Sequence, residues 1–150
     1  MSKFFFIIIL FVFDFLSKQF IFNFVDLNTF IKILPILDLA HIHNYGIAFG
    51  LLSGIVPNFI IISISCIIVL IIIYMMVKTE NMLEKWGFTL ILAGAISNIV
   101  DRIINNYVLD FIYFHYKNFY WPAFNFADIY ITFGILIVIW QYINIKKEKI

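Results

Sequence analysis

Ile55-Val56-Pro57-Asn58-Phe59-Ile60-Ile61-Ile62-Ser63-Ile64-Ser65-Cys66-Ile67-Ile68-Val69-Leu70-Ile71-Ile72-Ile73-Tyr74-Met75-Met76-Val77 runs for 23 residues without a charge. As a helix rising about 1.5 Å per residue it reaches about 35 Å, enough to cross the hydrocarbon layer of a bilayer. The stretch decides the fold because its surroundings agree with it. The 150-residue chain is 64% hydrophobic and 13% charged with a mean hydropathy of +1.04, whereas soluble chains are nearer half apolar and a quarter charged. Working outward, residues 4–24, 86–104 and 124–143 supply three more apolar segments of spanning length. The expectation is an all-α membrane protein of one domain, residues 1–150, with four transmembrane helices.

Composition also excludes function classes. A net charge of +1 offers no basic face for nucleic acid. Cys66 is the only cysteine, so no internal disulfide can form. No Gly-rich phosphate loop and no recognisable Ser–His nucleophile motif is present. The apolar run Phe4–Phe13 after Lys3 superficially resembles a signal peptide. Asp14-Phe15-Leu16-Ser17-Lys18 follows in place of a small-residue cleavage site, so 4–24 reads as a retained span.

Basic residues predict the orientation. With four spans, the N-terminus, the 78–85 loop and the C-terminal tail share one side, which holds Lys3, Lys78, Lys85, Lys146, Lys147 and Lys149. The other side holds Lys32 and Lys117, with Lys18 and Arg102 near helix ends. That asymmetry puts both termini in the cytoplasm and the 98–128 region outside.

Between the last two spans the polar residues gather. Residues 98–128 carry Asp101, Arg102, Asp110 and Asp128 with Asn98 and Asn125, and hold three of the nine acidic residues of the chain. Ionisable groups at the edge of hydrocarbon mark a functional site with a partner nearby. Asn98, Asp101 and Arg102 fall at i, i+3 and i+4, where Arg102 could hold Asp101 ionised. Asp14 and Lys18, also four apart, could pair within the first span. Ala93 and Ser97, and Gly94 and Asn98, put small residues where a second helix could approach. Asn125, Asp128 and Thr132 line one face of the fourth span. Aromatics dominate 105–122, as in a segment at a membrane–water interface. Residues 36–43 alternate as a strand would, and Asn44-Tyr45-Gly46 reads as a turn.

Asp110, in the loop leaving the third span, and Asp128, opening the fourth, form the natural chemical pair. Two close carboxylates cannot both ionise cheaply, so one keeps its proton. Together they offer a general acid and a general base that could activate water against an amide. Two other classes compete. His41, His43 and His115 could ligate a metal in a metal-dependent protease, although their spacing fits no zinc template. Intramembrane acids also serve proton or ion pathways, but these acids cluster at one face and do not form a chain across the membrane.

Five motifs in order resemble the lipoprotein signal peptidase (signal peptidase II) family of bacterial membrane aspartic proteases. They are Asp14 with Lys18; Asn44-Tyr45-Gly46-Ile47-Ala48-Phe49-Gly50; Gly94-Ala95-Ile96-Ser97-Asn98-Ile99-Val100-Asp101-Arg102; Val108-Leu109-Asp110-Phe111; and Phe124-Asn125-Phe126-Ala127-Asp128. The resemblance implies an endopeptidase that cuts prolipoproteins just before a diacylglyceryl-modified Cys, with Asp110 and Asp128 as catalytic dyad. It further implies that Asp14, Asn44, Gly46, Asn98, Arg102 and Asn125 line or orient the substrate site, supported by Lys18 and Asp101. No cofactor or metal is implied. The expected setting is the bacterial cytoplasmic (inner) membrane, with membrane lipid and the prolipoprotein as partners of a monomer. A small sheet-like extracytoplasmic cradle and a short surface helix are implied within 25–54. Ser97 stands where the family usually has Gly, Ala93 replaces another Gly, and Ile47 replaces an Ala; these departures are expected to touch helix packing and the turn, not the acids.

Overall fold

A computed structural model describes residues 2–47 and 50–148; Ala48-Phe49 of the second motif and Lys149 of the basic tail lie outside them. The order is α1 (Lys3–Phe24), β1 (Phe30–Leu34), β2 (Leu37–Asn44), α2 (Asn58–Lys78), α3 (Met82–Asn105), β3 (Val108–Tyr116), β4 (Phe119–Tyr120) and α4 (Phe126–Glu148). All four helices are long and apolar enough to cross a membrane. Each matches an expected span to within four residues at either end, the tail of α4 apart.

Helix α3 is the axis of the bundle. Its buried side chains run from Gly87 to Arg102, whereas α2 buries only Ile61. Small residues explain the difference. A Cβ on Gly94 would strike the carbonyl oxygen of Ala127, and one on Gly134 would sit 2.5 Å from the Gly87 carbonyl. Helices α3 and α4 therefore touch backbone to backbone, the van der Waals packing on which membrane bundles depend. Gly87 and Gly134 belong to this seam although sequence reading singled out only the stretch around Gly94. The Ile- and Phe-rich faces of α1, α2 and α4 stay exposed, as lipid contact requires.

Helix ends are closed by side chains. Asn106 stops α3 in the left-handed conformation at φ 66°, and Asn58 at the start of α2 donates to the Arg102 carbonyl at 2.9 Å.

The all-α description needs correcting. Beside the helices lies a four-stranded antiparallel sheet in the order β1-β2-β3-β4. Strand β2 covers the 36–43 segment expected to be extended. Strand β3 is the larger revision, because the aromatic segment after α3 is a nine-residue strand and Asp110 sits on it, opposite Ile42, not in a loop. A register slip between Leu39 and Ile42 bends β2 there. The surface helix expected within 25–54 falls partly outside the described residues: Gly50 has 3-10 helical geometry, and residues 51–55 form a chain of tight turns. The sheet lies at the end of the bundle where α1 and α3 finish and α2 and α4 begin.

Candidate active site

The fourth helix begins with a reciprocal cap. Asn125 Oδ1 accepts from the Asp128 N–H at 3.0 Å, and Asp128 Oδ2 accepts from the Asn125 N–H at 3.2 Å. This is a capping box built from Asn and Asp, and its sequence signature, Asn-x-x-Asp before an apolar run, was there to be read. Asn125 does more than cap: its Nδ2 donates to Asp110 Oδ1 at 2.7 Å. One fully buried asparagine thus clasps both carboxylates, one from β3 and one from α4.

Each carboxylate is surrounded by donors. Asp110 Oδ2 accepts from Asn44 Nδ2 at 3.0 Å, and Asp128 Oδ1 accepts from Asn98 Nδ2 at 2.9 Å. The three amides cannot be turned over. Asn98 Oδ1 faces the Lys18 ammonium at 3.1 Å, Asn44 Oδ1 faces the Gly46 N–H at 2.9 Å, and Asn125 Oδ1 faces the Asp128 N–H. Those partners can only donate, so each NH₂ group must point at an aspartate. Burial of Asp110, reinforced by the charge of Asp128, pushes its carboxyl up to about 7 against the opposing pull of the Asn44 and Asn125 donors.

Behind Asn98 lies a buried ionic cluster. The Lys18 Nζ reaches Asp14 Oδ2 at 2.6 Å, Asp101 Oδ2 at 2.7 Å and Asn98 Oδ1, which engages all three of its donors. Asp14 in turn accepts from the Ala127 N–H at 3.0 Å and from Ser97 Oγ at 2.5 Å. It thereby satisfies a donor in the first turn of α4 from across the bundle. Two expectations change here. Asp101 is paired with Lys18 and not Arg102, because packing of α1 on α3 brings the lysine closer. Ser97 touches an acid directly, so its hydroxyl is part of the polar cluster as well as of helix packing.

Arg102 faces the loop instead. Its Nη1 donates to the Asn98 carbonyl at 3.1 Å and its Nη2 to the Gly46 carbonyl at 2.8 Å. A Cβ on Gly46 would run into the Leu51 carbonyl and sit 2.9 Å from Gly50 O and Ser53 N, so the turn closes only on glycine. Asn44, Asn98, Arg102, Asp110 and Asp128 all border one cavity of about 450 Å³, whose other walls are mainly apolar and include Trp121, Phe124 and Phe133. Asp14, Lys18 and Asp101 lie behind it, buried. The arrangement combines two donor-ringed carboxyls with a mostly apolar chamber, which suits acid–base attack on a substrate held largely by apolar contact.

The three histidines do not converge. His43 stands opposite Leu109 on β3, and His115 lies six residues further along that strand, roughly 20 Å away at ~3.3 Å per residue. His115 sits beside Asp38 at 3.3 Å instead. The ligand set of the metal-protease reading is therefore not assembled.

A family model described as Signal peptidase (SPase) II matches residues 6–144. The chain belongs to the signal peptidase II family. Two proteins bearing the name lipoprotein signal peptidase are similar along about nine tenths of their length: that of Thermodesulfovibrio yellowstonii is 39% identical over 94% of this chain and 92% of its own. That of Pelagibacter ubique is 41% identical over 95% and 89%. Two solved bacterial membrane enzymes share the fold with TM-scores of 0.90 and 0.83, each 26% identical, covering 99% and 93% of this chain and 91% of each of theirs. Signal peptidase II is an enzyme family, and with four spanning helices this member is a multi-pass membrane protease.

Proposed function

We propose that this signal peptidase II removes signal peptides from prolipoproteins by water attack driven by Asp110 and Asp128. The observation that carries the reading is the Asn125 clasp, which holds two carboxyls from different elements at the mouth of one cavity. In the proposed step one carboxylate takes a proton from water as its oxygen attacks the scissile carbonyl carbon. The partner carboxyl gives its proton to the carbonyl oxygen. Collapse of the tetrahedral intermediate breaks the C–N bond: the carboxyl that took the water's proton gives it to the departing nitrogen, and a hydroxyl of the intermediate returns its proton to the other carboxylate, which restores the starting state. The pair titrates as a unit, so neither aspartate is given a fixed role.

The pH dependence follows from the shared proton. Activity should be present with one proton on the pair and fall as pH rises through about 7, where Asp110 loses it. Asn44 donates to Asp110 and favours its ionised form, so Asn44→Ala should move that alkaline limb to higher pH. A limb that stays put in the variant would count against Asp110 as the titrating group.

The proposed substrate carries a diacylglyceryl-modified Cys after the scissile bond. An apolar cavity beside a lipid-facing bundle can use acyl chains for positioning, since each buried CH₂ is worth roughly 0.8 kcal/mol. Purified enzyme should cleave a lipidated precursor at least about tenfold faster than the same precursor with an unmodified Cys, a gap that two chains easily supply. Equal rates would overturn the lipid-reading assignment.

The proposed setting is the bacterial cytoplasmic membrane, with both termini inside, the sheet and dyad outside, and a single copy sufficient. Lysine asymmetry supports this orientation. In a Cys66→Ser background, an impermeant thiol reagent added outside should label Asn118→Cys and spare Asn81→Cys. The opposite pattern would invert the topology.

A further inference from the structure

The geometry points to a second, non-catalytic site: His41 and His43 form a two-imidazole seat for a single divalent transition-metal ion at the end of α1. The two Nε2 atoms lie 3.1 Å apart. With metal–nitrogen bonds of about 2.05 Å, that separation corresponds to a ligand–metal–ligand angle of roughly 98° once both rings turn their lone pairs off the line between them and onto the ion. Such an angle serves tetragonal as well as distorted tetrahedral coordination.

Two independent features prepare the seat. His41 Nδ1 is 2.7 Å from the Val25 carbonyl, which can only accept, so Nδ1 carries the hydrogen and the Nε2 lone pair is turned toward His43. A carbonyl partner of this kind is what fixes tautomer and ring orientation in metal-bound histidines. Val25 is also the C-cap of α1, where the carbonyl end of the helix favours a nearby cation. His43 is held by stacking on Tyr107 at 3.5 Å between ring centroids, and it opens toward solvent beside half-exposed Tyr45.

The hydrogens balance without an added reactant. In the empty pair His43 Nε2–H must donate to His41 Nε2, because His41 already has its hydrogen on Nδ1. When an ion enters, that hydrogen moves to His43 Nδ1, and both rings bind neutral through Nε2. Water completes the coordination. Preference should follow the ligand type, with Cu²⁺ tightest, then Ni²⁺ and Zn²⁺ weaker.

The test uses full-length protein in detergent with any affinity tag removed, titrated with Cu²⁺ and read by electron paramagnetic resonance. One ion per chain with hyperfine coupling to two imidazole nitrogens is expected. His43→Phe keeps a ring to stack on Tyr107 and should lose one nitrogen coupling and about 10- to 100-fold in affinity. His115→Phe should change neither. Absence of a two-nitrogen signal in the unaltered protein, or its survival in His43→Phe, would overturn the site.

Discussion

Asp110→Asn and Asp128→Asn are each expected to abolish cleavage while the protein still inserts and folds. Asparagine keeps the shape of the carboxyl but cannot pass the proton that the proposed hydrolysis requires. Loss of a general acid or base costs about 10²–10⁴-fold in rate, and a pair that acts as one unit stands at the upper end. Both variants also disturb the fold, because each carboxyl accepts two N–H donors. Asp128 accepts the Asn125 N–H through Oδ2 and Asn98 Nδ2 through Oδ1, so an asparagine there keeps the cap of α4 only by turning its NH₂ group toward the Asn98 donor. Asp110 accepts two amide donors, from Asn44 and Asn125, and one of them would meet an NH₂ group in the variant. Each variant should therefore also lower thermal stability, by about 1–3 kcal/mol for an unsatisfied buried group. Single-turnover cleavage and detergent melting would read the two effects separately. Near-full turnover in either variant would end the dyad assignment.

Lys18→Met is expected to be the most destabilising single change outside the dyad. Lys18 is buried at 3% exposure between Asp14 and Asp101, within 2.7 Å of both. Removing the cation strands two buried carboxylates, and breaking a buried ion pair in this way costs about 3–5 kcal/mol. Asn98 also loses the donor that orients it toward Asp128. Cleavage should fall together with melting temperature. Adding Asp101→Asn to Lys18→Met removes one of the stranded charges and should restore part of the stability. A single variant that melts with the parent protein, or a double variant no better than the single, would show that the cluster does not work as a charge-balanced unit.

How much of this was legible beforehand depended on whether the information was local. The four spans are legible because apolar composition over some 20 residues is enough to define them. Asp14 and Lys18 are legible as a pair because four residues on a helix place them together. Asp101 and Arg102 share a face with Asn98 but are adjacent on the helix, so spacing does not bring them together, and their pairing is not what the structure shows. Spacing within α3 carries no record of Lys18, which arrives from α1 and takes Asp101 for itself. Strand β3 was hidden for another reason. Val108–Tyr116 is apolar or aromatic at nearly every position, so no alternation separates a strand from an interfacial segment. Asp110 is thus legible as half of the pair, whereas its place on a strand is not. The sheet partner that presents Asn44 to it became visible only with the register of β2 on β3. Histidine pairing was readable as His-x-His, yet the distance from His43 to His115 depended on the same unseen register.

The fixed amides around the dyad give the polar ring a sense of direction. From Lys18 through Asn98 to Asp128, and from the Gly46 N–H through Asn44 to Asp110, hydrogen bonds are handed on one way only. Such a chain resembles a row of arrowheads, and a single reversed arrowhead sets two donors or two acceptors face to face. Exchange of any one of these asparagines for aspartate, though nearly isosteric, erases an arrowhead and aims a further negative charge at the pair. Size matters less at these positions than polarity of presentation, so glutamine, longer but still able to give at one end and accept at the other, is the gentler intruder.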